Sequence, residues 1–171
     1  MQPRKSFIRR AAIALLKRCK ISDPPVDLLQ IVKQCGLEYE EVGYFDDDVD
    51  ALIIPYDGKI VAAVNQNSSV NRRRFSLAHE LCHHLYHQDR SMLIESMTVD
   101  SPFEGSFTET SSKDPFESEA DVFAGELLVP LFMLKKHYSP GHTAANIAQI
   151  FQVSEQVASI ALTSHFDALF K

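Results

Sequence analysis

The stretch RFSLAHELCHHLYH, residues 74–87, places four histidines and a glutamate on what reads as one helix. Within it His79, Glu80 and His83 form the pattern HExxH. At about 100° per residue His79 and His83 lie about 40° apart, so both imidazoles can reach one ion, with Glu80 beside them. That spacing suits a single zinc ion with a carboxylate to act as general base. His84 lies about 140° from His79 and is expected to face away, whereas His87, at about 80°, is a neighbour of undecided duty. Cys82 reads as a buried, inert thiol.

A catalytic zinc needs three protein ligands and an open position for water. The extended pattern HExxHxxGxxH would need a histidine at position 89, which is Asp. A carboxylate from a second helix is the alternative, and FESEADVFAGELLVP, residues 116–130, offers Glu117 and Glu119. The apolar arc of that segment (Phe116, Ala120, Phe123, Ala124, Leu127) is centred near Ala120. Glu117 lies about 60° from that centre and Glu119 about 100° away on the other side, which favours Glu117 and leaves Glu119 as the alternative. Asp121, one turn beyond Glu117, can accept the N–H of a ligating histidine and so fix its tautomer. Metal-activated water, with Glu80 taking its proton and passing it to the leaving amine, then predicts peptide hydrolysis without a covalent intermediate. The donor for the developing oxyanion is open among His84, His137, Tyr138 and His142.

Taken together, RRRFSLAHELCHHLYH and ESEADVFAGELLVP resemble the ImmA/IrrE family of zinc metallopeptidases, with the strand ending Val64-Asn65 and the late segment IAQIFQVSEQVA extending the likeness. The resemblance implies a zincin-like fold of the gluzincin kind, with His79, His83 and Glu117 as zinc ligands and Glu80 as catalytic base. It also implies a protein substrate, a transcriptional repressor. Two positions depart from the family pattern, Cys82 where glycine is more frequent and Val129 where methionine often precedes the proline.

The elements that must position these residues are legible in outline, and they predict an α+β chain. With 171 residues and 45% hydrophobic side chains, one domain with its own core is expected over 1–171. Residues 1–36 read as two helices. The first runs from about Arg4 to Cys19, burying Phe7, Ile8, Ala11 and Leu15 and leaving Arg4, Arg9, Arg10 and Lys17 in solvent. The second is capped by Asp23, begins at Pro24-Pro25 and stops at Gly36. Residues 37–64 predict a small antiparallel sheet, with ALIIPY and KIVAAV flanking the hairpin turn Asp57-Gly58. Residues 70–137 hold the catalytic helices around a loop at 88–114, whose Ser/Thr-rich part is either a plain connection or a lid. Residues 143–171 form a helical hairpin turning at Gln152 to Ser154.

Charge limits the partners. Residues 1–20 carry seven Lys or Arg and no acid, while the rest carries ten against 23 acids, for a net charge of −6. The hairpin has the apolar pattern of a helix-turn-helix, yet its second helix has no Lys or Arg, so no direct nucleic-acid binding is expected. Arg72, Arg73 and Arg74 oppose the dipole of the helix they begin and need partners, either the protein's own acidic surface, such as Asp46 to Asp50, or an acidic segment of a substrate. No apolar run is long enough for a membrane span, the basic N-terminus lacks the shape of a signal sequence, and three scattered cysteines fit reduced thiols in the cytoplasm. Against the peptidase reading stand a regulatory or DNA-associated protein with a silent site and a purely structural zinc.

Overall fold

A computed structural model describes residues 2–43, 45, 49–87 and 114–169. The expected lid within 88–114 therefore lies outside the described residues, apart from Asp114, as do Asp46, Asp47 and Asp48. In chain order the elements are α1 (Lys5–Arg18), α2 (Leu28–Gln34), β1 (Glu38–Val42), β2 (Ala51–Tyr56), β3 (Lys59–Asn65), α3 (Val70–Tyr86), α4 (Pro115–Leu128), α5 (Leu131–His137), α6 (Ala144–Phe151) and α7 (Glu155–Leu169). The arrangement is the expected α+β one, and one apolar cluster runs through it from Ile8 to Ala161.

The sheet corrects one expectation. Its order is β1-β3-β2, and β1 pairs parallel with β3, so the sheet is mixed. β2 and β3 do form the antiparallel hairpin, turning at Asp57 and Gly58, both at positive φ (48° and 73°) as a primed two-residue turn demands. The most apolar strand takes the middle. Val61 to Asn65 are all buried, whereas β1, with sequence EYEEV, buries only Val42. To leave β3 central, the chain after β1 must cross to the far edge before starting β2, and this makes β1 and β3 run the same way.

The N-terminal helices also differ in detail. α1 buries Ile8, Ala12, Leu15 and Leu16, and Phe7 is instead 44% exposed, edge-on to Tyr86 at 6.0 Å. Arg4 and Arg9 are not simply solvated, because they reach Glu119 and Glu126 on α4, at 2.9 and 2.7 Å. The reason is that α4 packs against α1 on one side and α3 on the other, so its buried arc is wide enough to include two carboxylates that need partners. α2 starts later than its sequence suggests. Asp27 accepts the Gln30 N–H as N-cap, and Asp23 is paired with Lys136 of α5.

α3 begins at Ser69, whose hydroxyl accepts from the Arg72 amide, and its three arginines are each partnered. Arg72 meets Asp50 through two nitrogens at 3.1 and 2.8 Å, and Arg73 meets Glu41 at 2.9 Å. Arg74 donates to the carbonyls of Gln152 and Val26, both at 3.0 Å. Asn71 adds a bond to the Val153 carbonyl, so the turn between α6 and α7, with Gln152 at φ 51°, is docked on α3. α4 opens on Asp114, which accepts the Phe116 amide, followed by Pro115 at the first helical position.

Glu119 is the most demanding group in this frame, since its side chain is fully buried. Burial alone would raise its carboxyl, but donors from the Arg4 guanidinium and backbone, with His87, hold it down at about 2. Such a depressed group contributes stability that is complete above its ordinary value near 4.5 and is lost as the pH falls from there toward 2. Glu119→Gln is therefore expected to cost about 2 kcal/mol at pH 7, the scale of hydrogen bonds to a charged group. It should also flatten the loss of stability between pH 4.5 and 2 in denaturant titrations. An acid limb as steep as that of the wild type would reject this pair as its source.

Candidate metal centre

α4 runs back across α3, so successive turns of one helix meet successive turns of the other in reverse order. His79 faces Asp121 and Glu117, and His87, two turns later, faces Glu119 and Phe116. His79 and His83, one turn apart on α3, stand with ring centroids 4.8 Å apart and Nε2 atoms 3.0 Å apart. Glu117 approaches the same point, with Oε2 at 3.2 Å from His79 Nε2 and Oε1 at 3.5 Å from His83 Nε2. Among the described residues these three form the group able to hold a metal ion.

The spacing can be tested against zinc. Ligand atoms at about 2.0–2.1 Å in tetrahedral directions lie about 3.3 Å apart. The two Nε2 atoms at 3.0 Å, and the approach of one Glu117 oxygen to each of them, at 3.2 and 3.5 Å, bracket that value. His79 Nδ1, on the far side of the ring, is 3.1 Å from Asp121 Oδ1, which can only accept, so that nitrogen carries a hydrogen. Its Nε2 then has a lone pair to offer. Two imidazole nitrogens and a carboxylate oxygen converging this closely require a cation among them, either a proton or a metal. The residues present fit a zinc ion.

Electrostatics say the same. Burial, the largest single influence on His79, lowers its affinity for a proton, yet the hydrogen bonds and charges of Asp121 and Glu117 together outweigh it and raise the imidazole to about 9. Glu117 is held far below the usual carboxylate range by His79 and His83. Glu80 is shifted the other way. Burial raises its carboxyl, opposed by the nearby His83 and His79 and assisted by the negative Glu117. Glu80 is thus a half-buried carboxylate with raised proton affinity beside this cluster.

Glu117 and Asp121 thus stand where the helix-face reading put them relative to His79, but for a corrected reason. Glu117 does not edge toward the core; its side chain is 38% exposed, while that of Glu119 is fully buried. The difference lies in α1, which covers the Glu119 side of α4 and leaves the Glu117 side to the cleft. Glu119, engaged by Arg4 and His87, does not join the cluster. Cys82 is buried and its thiol is pushed up to about 12, chiefly by burial. His137 turns to Asp23 and Phe151, and Tyr138 leans edge-on against His142 at 6.1 Å.

Sequence reasoning left His87 undecided. It is fully buried, with Nδ1 at 3.0 Å from His83 Nδ1 and Nε2 at 3.0 Å from Glu119 Oε2. Its place one turn beyond His83 was a signal, but its carboxylate partner comes from another helix. A cavity of about 470 Å³ opens next to the cluster at Asp121 and Ser76 and extends between α3, α4 and α7, where Phe75, Val122, Val157 and Ile160 line it.

Residues 45–163 match the family model described as the IrrE N-terminal-like domain, a peptidase family. No curated protein is significantly similar to the chain. Among solved structures, a Mycobacterium tuberculosis transcriptional regulator is similar at 15% identity with a TM-score of 0.64, over 92% of this chain and 46% of that one. The likeness is one of fold, and the chain spans about half the length of that protein. With the HExxH helix, the glutamate helix and most of the sequence inside the matched region, the chain belongs to the IrrE N-terminal-like peptidase family.

Proposed function

We propose that the protein is a zinc-dependent endopeptidase that cuts a regulatory protein, a transcriptional repressor, in the cytoplasm. The observation that carries the catalytic part is the convergence of His79 Nε2, His83 Nε2 and the Glu117 carboxylate, one oxygen toward each ring, with the opposite nitrogen of His79 tied to Asp121. In this reading His79, His83 and Glu117 are the ligands of one zinc ion. Bound there, zinc would supply Lewis-acid activation of water and of the scissile carbonyl. Asp121 holds the His79 ring in the ligating tautomer. Glu80, already inclined to accept a proton, takes one from the attacking water and delivers it to the departing amine.

Substrate can approach along β2, the outer strand opposite β1, whose start is fixed to α3 by the Asp50–Arg72 pair. An extended peptide added to that edge would use backbone hydrogen bonds for affinity and the neighbouring cavity for a side chain. A peptidase whose site accepts one extended segment suits limited cleavage of a specific protein. The family supports a peptidase, and the similarity to part of a transcriptional regulator agrees with a regulatory setting. Direct reading of nucleic acid is disfavoured by α7, which has no Lys or Arg from Glu155 to Leu169. The cytoplasm suits Cys19, Cys35 and Cys82, all free thiols, and among the described residues no helix is long and apolar enough to cross a membrane. A structural zinc would be closed by a fourth protein ligand, whereas the described cluster supplies three.

Two measurements test this reading. Glu80→Gln should keep zinc and lose about 10²-fold or more in cleavage of a repressor that the wild type cuts. Glu117→Ala should lose tight zinc binding. Wild-type cleavage by Glu80→Gln would reject Glu80 as the base, and full zinc retention by Glu117→Ala would reject it as a ligand. Since metal must displace the proton that His79 holds up to about pH 9, zinc loading at pH 7 should release about one proton. Apparent affinity should then weaken about tenfold for each pH unit below 9. Chelator-competition titrations from pH 6 to 9 read this directly, and a flat profile would contradict the assignment of His79.

A further inference from the structure

Among the described residues, the second ligand, His83, meets a histidine rather than a carboxylate on the side that corresponds to Asp121 at His79. Its Nδ1 is 3.0 Å from His87 Nδ1, and His87 Nε2 is 3.0 Å from Glu119 Oε2. We propose that His87 and Glu119 form a buried hydrogen-bond chain that locks His83 in the tautomer able to bind zinc, which makes His87 a positioning residue of the metal centre. This inference rests on the zinc reading above.

The direction of each bond follows from what each atom can do. An imidazole that ligates through Nε2 carries its one hydrogen on Nδ1, so His83 must donate from that atom. Its neighbour at 3.0 Å is another ring nitrogen, which can receive the hydrogen only if it is bare. A neutral His87 with bare Nδ1 has its hydrogen on Nε2, aimed at a carboxylate that only accepts. The opposite direction fails, because a hydrogen on His87 Nδ1 would face the Nδ1 hydrogen of His83 and leave two bare acceptors, His87 Nε2 and Glu119 Oε2, facing each other at 3.0 Å.

The chain is anchored at its far end. Arg4 gives Glu119 three bonds, from its backbone N–H at 2.6 Å, Nε at 3.2 Å and a terminal guanidinium nitrogen at 2.9 Å. The side chains of both His87 and Glu119 are fully buried, and the Phe116 ring meets His87 edge-on at 4.9 Å, so the imidazole has little freedom to turn. Outer partners of this kind typically set metal affinity by 10- to 100-fold, by orienting the ligand ring and raising its basicity. Here the partner is a histidine that relays a carboxylate.

The test measures zinc affinity by chelator competition at fixed pH on wild type, His87→Phe and His87→Gln, with thermal unfolding run alongside. Phenylalanine keeps an aromatic ring but cannot accept from His83, and zinc should bind about 10- to 100-fold more weakly. Glutamine offers a carbonyl to His83 and an amide to Glu119, and it should recover most of that loss. A merely structural role would not separate the two. Nitrogen-15 spectra of zinc-loaded wild type should show His83 protonated on Nδ1, and His87 protonated on Nε2 with a bare Nδ1, an outcome independent of whether the variants fold. Equal zinc affinity in wild type and His87→Phe, no recovery in His87→Gln, or a hydrogen on His87 Nδ1 would each overturn the chain while leaving the zinc site standing. A wild-type protein that binds no zinc would overturn the metal reading itself, and this inference with it.

Discussion

The packing of α4 against α3 is the constraint on which the rest depends. HExxH supplies two imidazoles and a carboxylate from one helix, and this is not a metal site until a second helix brings an oxygen to the same point. Glu117 does so only because α4 crosses α3 in a register that sets it between His79 and His83, with Asp121 one turn on. A shift of one residue along α4 would turn Glu117 by about 100° and empty the third corner. The core residues beneath, among them Ala78, Leu81, Ala120 and Phe123, hold that register by close packing, so the chemistry inherits its geometry from apolar contacts.

Polar groups on the two sides of α4 solve different problems. On the cleft side Glu117 and Asp121 remain partly exposed and gather positive charge. On the other side Glu119 and Glu126 lie under α1 and are matched by Arg4 and Arg9. Without the guanidinium groups of Arg4 and Arg9, these carboxylates would stay covered by α1 but lose their nearest positive charges, which destabilises a buried ion pair. The basic N-terminal segment therefore serves as the counter-charge of the glutamate helix. Likewise the arginines at the start of α3, awkward for its dipole, tie that helix to β1, to Asp50 ahead of β2, and to the turn between α6 and α7.

Much of this was legible in the sequence where a single element decides the matter. The 3.6-residue period placed His79 and His83 together, and Asp57-Gly58 announced its hairpin. What could not be read depended on which elements become neighbours. The antiparallel expectation for β1 failed because pairing partners are chosen by strand burial, and the most apolar strand took the centre. Asp23 looked like a cap because it precedes two prolines, but Asp27 is nearer the first turn and Asp23 is engaged by Lys136 from far along the chain. The duty of His87 was hidden for the same reason, since its partner Glu119 lies 32 residues away on another helix.

One detail of the Arg4 clamp bears on how the chain tolerates variation. The shortest of its three bonds to Glu119 comes from the main chain, not from the guanidinium. Replacing the arginine side chain removes the charge but leaves a donor in place, whereas proline at position 4 would delete that donor. Position 4 therefore imposes two separate demands on a natural variant, one on charge and one on backbone. A catalogue of tolerated residues there would distinguish which of them the buried carboxylate needs more.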